Sequence, residues 1–189
     1  NKYNKYPVFI LRKNDNSIYL AKGINGYSSW KMVQVNNVTG KQLISDKNGT
    51  AYVLSTDGQT IKKISVTNIN VKDNSDPTYA VSSINANGAK HKIQYVNNKV
   101  YAIDYSGYLY TCSSTAGKME VVGGIVNVSD IGACGKRLLA IAEIPSGTVV
   151  EVPVVKIGGK VYNQSSVTVK SITTYVIDGR ETSIEVDAE

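Results

Sequence analysis

Lys99-Val100-Tyr101-Ala102-Ile103-Asp104-Tyr105-Ser106-Gly107-Tyr108-Leu109-Tyr110 reads as a strand, a tight turn and a returning strand. β-Branched and aromatic residues fill both arms, and Asp and Gly bracket the turn, which is how a hairpin closes. The same order occurs at Thr50-Ala51-Tyr52-Val53-Leu54, with a turn at Ser55-Thr56-Asp57-Gly58 and a return at Gln59-Thr60-Ile61. Upstream it is Pro7-Val8-Phe9-Ile10-Leu11, a turn over Lys13 to Ser17, then Ile18-Tyr19-Leu20. Downstream it is Leu138-Leu139-Ala140-Ile141, a turn closing on Ser146-Gly147, then Thr148-Val149-Val150. The hairpins begin roughly 40–50 residues apart, the period of propeller blades or similar stacked β units.

Period-two alternation is frequent between the hairpins, and helical spacing is almost absent. Val33-Gln34-Val35 and Val126-Asn127-Val128 each lead into a hairpin, so a unit holds a lead-in strand, an inner apolar strand, a turn and an outer strand. The inner strands (Val8 to Leu11, Ala51 to Leu54, Val100 to Ile103, Leu138 to Ile141) are nearly continuous apolar runs, as strands covered on both faces should be. The outer strands alternate and carry Lys and Thr. The expected fold is therefore all-β: blade-like hairpin repeats of a partial or small β-propeller over residues 1–153. Residues 154–189 form a C-terminal β extension or an irregular last blade, with Val167-Thr168-Val169 and Tyr175-Val176-Ile177 among its strands.

A chain of 189 residues suits one large all-β domain, long enough to bury a core without a metal or disulfide staple. No apolar run approaches the length of a membrane span. The start Asn1-Lys2-Tyr3-Asn4-Lys5-Tyr6 is polar and lacks Met, and the chain is expected to be a processed product or part of something longer. The formal charge is +6, but the lysines are scattered and Lys62-Lys63 is their only adjacent pair. Scatter fits solvated strands better than a nucleic-acid face, which concentrates its charge. Thirteen Tyr against one Phe and one Trp suits half-wet pleated surfaces, and the many Asn sit in turns, where they tolerate left-handed backbone. Cys112 and Cys134 lie outside any metal spacing and read as two buried free thiols.

Val128-Ser129-Asp130-Ile131-Gly132-Ala133-Cys134-Gly135, with Leu139-Ala140-Ile141-Ala142-Glu143 and Ser146-Gly147-Thr148-Val149, resembles the repeat of the regulator-of-chromosome-condensation family. Ile18-Tyr19-Leu20-Ala21-Lys22-Gly23-Ile24-Asn25 is similar to the end of such a blade. That family folds as a seven-bladed propeller about twice this length, and it usually has His where this chain has Leu138. The resemblance implies blade architecture; guanine-nucleotide exchange and chromatin binding are not carried over. Lectins with five or six short blades are similar at this level.

No residue set calls for a cofactor, a metal or catalysis. The single histidine, His91, sits in Gly88-Ala89-Lys90-His91-Lys92 without a nucleophile elbow nearby, and reads as a surface or turn residue. Asp46-Lys47-Asn48-Gly49 and Asp73-Asn74-Ser75-Asp76 hold only part of a calcium loop and read as turns. Aromatic side chains remain as the candidate ligand surface: Tyr27 and Trp30 in a loop after the first hairpin, Tyr105 and Tyr108 flanking the third turn. The expected function is a non-enzymatic structural or attachment module, best placed in a virion as a tailed-bacteriophage tail, fibre or capsid-associated component, with other protein subunits as partners. The alternatives are an extracellular carbohydrate-binding propeller with a glycan partner, and a repeat scaffold that binds proteins.

Overall fold

The computed structural model describes residues 7–24, 29–46, 48–113, 117–123, 125–144, 149–151, 156–157, 160–161, 166–177 and 180–188; side chains are described as far as residue 142, except that of residue 113. Among the described residues there is no helix, and so none long and apolar enough to cross a membrane. The chain is all-β and its sheets are antiparallel. The first sheet holds β1 (Val8–Arg12), β2 (Ser17–Ile24) and β3 (Ser29–Thr39) in order 1-2-3. The second holds β4 (Gln42–Ser45), β5 (Thr50–Leu54), β6 (Thr60–Asn68) and β7 (Thr78–Asn85), again in chain order. The third repeats that meander with β8 (Lys90–Val96), β9 (Lys99–Asp104), β10 (Leu109–Ser113) and the short β11 (Glu120–Val121).

The fourth sheet departs from the meander. β12 (Val128–Cys134) pairs with β13 (Arg137–Ile144), but β13 does not turn back on β14 (Val149–Glu151). A two-stranded ribbon of β15 (Lys156–Ile157) and β16 (Lys160–Val161) intervenes. Then β17 (Ser166–Ile177) pairs with both β13 and β14, which lie end to end along it, and β18 (Arg180–Ala188) closes the far side. The fourth hairpin expected from Leu138 to Val150 is therefore not formed. Twelve-residue β17 offers a long ladder that a short return strand cannot match.

The sheets pack face to face through three apolar clusters. Ala51 and Val53 of β5 point into the first cluster, with Ile18, Leu20, Val35 and Val38 of the first sheet. Their neighbours Tyr52 and Leu54 point the other way, into the second, with Ile93, Val100 and Ala102 of the third sheet. Ile103 turns from that cluster into the next, with Val96, Leu109, Val128, Leu138 and Ala140. Alternate side chains of one strand thus serve two cores, which is why β5 and β9 read as unbroken apolar runs. Each fully buried Val, Leu or Ile contributes about 1.5–3 kcal/mol. β1 is different: Phe9 and Leu11 pack on the first cluster, whereas Val8 and Ile10 on its other face are 43% and 39% exposed.

The strands that meet from sheet to sheet are the lead-ins and the apolar strands beside them: β1 meets β4, β5 meets β8, and β9 meets β12. β4 contacts β8, and β8 contacts β12. The strands expected to be innermost are second in the second, third and fourth sheets, and only β1 keeps an outermost ladder position, on the edge of its sheet. At the β4–β8 contact the Gln42 amide replaces a missing ladder partner. Its Nε2 donates to the Ile93 carbonyl at 3.2 Å, and its Oε1 accepts from the Ile93 N–H at 2.7 Å.

A repeated clamp ties each sheet to the next. The turn after β1 presents the Asn16 carbonyl to the Gly40 N–H (3.0 Å), the turn after β5 presents Gly58 to Lys90 (2.9 Å), and the turn after β9 presents Gly107 to Val128 (2.9 Å). All three carbonyl residues are left-handed, with φ of 58°, 76° and 79°. Each turn is organised by an Asp: Asp15 accepts from Ser17, Asp57 from Gln59, and Asp104 from both Ser106 and Tyr108. Asn suits such backbone, and every non-glycine residue with positive φ among the described residues is Asn.

Two expectations about single residues need correction. Cys112 is buried, but Cys134 is exposed, because it ends β12 at the Gly135-Lys136 turn rather than in a core. Lys22 and Lys90 are fully buried instead of lying on solvated strands. Lys22 donates to the carbonyls of Asn70 and Asp73, and Lys90 to those of Asn87 (2.9 Å) and Gly88 (3.0 Å). Burial is tolerated because each ammonium donates to two carbonyls and faces a third favourable group, the Asp73 carboxylate 3.8 Å away for Lys22 and the Tyr110 ring 3.6 Å away for Lys90.

Candidate functional site

The end of the stack that carries the clamps gathers two of the four aromatic residues singled out in the sequence. The tight turn after β9 holds Tyr105 outward, 74% exposed, and Tyr108 follows at 45%. Lys41, entering β4, sets its ammonium 5.6 Å from the Tyr105 ring centre and donates to the phenol oxygen at 3.4 Å. His91, at the start of β8, lies obliquely on the same ring, with centroids 5.0 Å apart. Asp57 adds a carboxylate held below its usual range, chiefly by the Ser55 hydroxyl, then by the Gln59 N–H, with Lys41 assisting. Lys92 pairs with Asp130 and depresses that carboxyl as well. The patch is exposed, mixed in charge and built on one aromatic ring.

The other two aromatics are not brought to it. Tyr27 lies outside the described residues. Trp30 is 53% exposed on β3, paired across from Gly23, six residues along β2 from the Ser17 end that adjoins the clamp. At about 3.3 Å per residue, that places it some 20 Å from the turn end of its own sheet. Trp30 instead shares the outer face of the first sheet with Met32, which is 56% exposed, and with Val8 and Ile10.

At the opposite end from the clamps, three turns converge on a polar cleft of about 520 Å³. The β4–β5 turn contributes Ser45 and Asp46, the β8–β9 turn Asn97 and Asn98, and the β12–β13 turn Lys136, with Tyr95 as the aromatic wall. The Tyr95 ring is stacked on Tyr52 at 5.3 Å and 17°. Its hydroxyl donates to Asn98 Oδ1 at 3.0 Å. Asp46 Oδ1 accepts from the N–H groups of Asn48 and Thr50, both at 2.8 Å, so this Asp shapes a turn as the sequence suggests. Asn97 and Asn98 hold left-handed φ of 48° and 63°, a two-residue hairpin turn that presents both amides. The sequence shows each turn separately. That turns some 40–50 residues apart meet at one end follows only from the stacking of their sheets.

No family model, curated protein or solved structure matches this chain.

Proposed function

We propose that the chain is a non-enzymatic attachment or assembly module whose blade-like repeats form part of a propeller-type stack. The observation that carries this reading is the outer face of the first sheet. β1 precedes its clamp turn as β5 and β9 precede theirs. In β5 the residues facing the preceding sheet, Ala51 and Val53, are fully buried, whereas among the described residues no sheet lies over Val8 and Ile10 in the corresponding places of β1, which are 43% and 39% exposed. With Trp30 and Met32 they make an apolar sheet face of the kind that takes a second sheet. A sheet from another subunit would bury it as the internal sheets bury each other, and a particle built of repeated subunits, such as a phage tail or fibre, is the setting in which we place the module.

Light scattering on the 189-residue chain tests this. Association at micromolar concentration is expected, with Ile10→Lys and Met32→Lys shifting it toward monomer while the melting temperature is retained. A wild-type chain that stays monomeric across that range overturns the reading.

A further inference from the structure

We propose that the polar cleft between the Asp46, Asn97-Asn98 and Lys136 turns is a binding site for a neutral sugar ring of an oligosaccharide. Its volume lies within the 300–1,000 Å³ or so that small-molecule sites occupy. Its chemistry is that of a polyol site. Asp46 spends Oδ1 on its own turn, and among the described residues Oδ2 has no hydrogen-bond partner, so it can accept from two vicinal hydroxyls. Asn98 accepts from Tyr95 through Oδ1, which fixes the amide and leaves its NH₂ to donate. Asn97, exposed beside it, offers both a donor and an acceptor.

Tyr95 supplies the apolar wall that the C–H face of a sugar needs, and Tyr52 behind it keeps the ring from turning. Burial raises the Tyr95 phenol above its ordinary value, and the Asp46 charge raises it further, so the hydroxyl stays protonated and donating. Among the described lining residues the charges are one carboxylate and one ammonium, Asp46 and Lys136, so neither sign of ligand charge is favoured and the recognition rests on hydroxyl hydrogen bonds and the Tyr95 face.

This site is independent of the assembly reading, which concerns the first sheet's outer face and is scored by light scattering. The test is a titration of the 189-residue chain with methyl glycosides of glucose, galactose, mannose and N-acetylglucosamine, followed by saturation-transfer NMR, and then with an array of neutral glycans. At least one glycan should bind, and Asn98→Gly, which keeps the left-handed backbone, should weaken it about tenfold or more. Tyr95→Phe should also weaken it, by freeing the Asn98 amide, and Tyr105→Ala at the far end should leave it unchanged. Melting curves confirm that each variant is folded. The proposal is overturned if no neutral glycan binds, if Asn98→Gly leaves binding undiminished, if Tyr105→Ala abolishes it, or if inorganic phosphate binds in place of the glycosides.

Discussion

Replacing Gly58 with Ala perturbs the clamp between the second and third sheets at its narrowest point. The residue has φ of +76°, where a Cβ costs about 1 kcal/mol. An ideal Cβ there would lie 2.8 Å from Lys90 N, and closer still to the Lys90 carbonyl oxygen, and both are backbone atoms at the start of β8. Relieving that overlap means moving β8 away from the turn, with an overpacking cost of about 1–3 kcal/mol. The Lys90 N–H to Gly58 carbonyl bond is weakened as well, about 1 kcal/mol more. The sum is roughly 3–5 kcal/mol, or a fall of about 10 °C in melting temperature for a chain of this size. Two glycines calibrate the parts. Gly135 has φ of +59° and open space around it, so Gly135→Ala should cost only the backbone strain, about 1 kcal/mol. Gly132 has neither positive φ nor a neighbour within 4 Å, so Gly132→Ala should be neutral within about 0.5 kcal/mol. Thermal unfolding followed by circular dichroism ranks the three, and the clamp argument fails if Gly58→Ala melts no lower than Gly135→Ala.

Val53→Asp and Ala102→Asp should prevent soluble folding, because each puts an unpaired carboxylate where no solvent reaches, at a cost of several kcal/mol. Lys62→Glu, whose ammonium donates to the exposed Ser83 hydroxyl, should stay within about 0.5 kcal/mol of the parent; equal losses of soluble yield in the two groups would refute the core assignment. Stability should hold above pH about 5 and fall below pH about 4, since Asp15, Asp57, Asp73 and Asp130 are all depressed in the folded chain and their contribution is lost as pH drops through the folded values. Asp57→Asn should flatten that acid limb, and a melting temperature unchanged from neutral pH to pH about 3 would contradict the hydrogen-bond assignments.

The sequence made the β1–β2, β5–β6 and β9–β10 hairpins legible because hairpin signals are local, whereas β7, β8 and β11 carry no such signal. Asp57-Gly58 and Asp104 to Gly107 name their turns, and Ala51 to Leu54 declares burial on both faces through its lack of alternation. Strand order within a sheet was less accessible. Gln42 to Ser45 is a four-residue strand with little apolar signal, yet it forms the contact with β8, partly through the Gln42 amide. The pairing of β13 with β17 spans a long sequence separation and leaves no local mark. Nothing local announces the burial of Lys22, whose carbonyl partners Asn70 and Asp73 come from a distant segment; Lys90 takes its carbonyls from its own turn, Asn87 and Gly88, and it is the Tyr110 ring over it that the local sequence does not show. Of the candidate site residues, Tyr105 and Tyr108 were visible as turn aromatics, whereas the cleft around Asp46 and Asn98 depends on stacking that no single turn encodes.

The Asn16, Gly58 and Gly107 clamps also set how the molecule should respond to force. Each joins only adjacent sheets, and each cluster of buried side chains spans only one pair of neighbours, so mechanical load reaches a given interface through the one before it. Tension applied at the first strand would meet the interfaces in series and release them one after another, beginning where Phe9 and Leu11 hold β1 by a single face. A module with that wiring yields in steps, dissipating a pull over several small ruptures before the last sheet lets go.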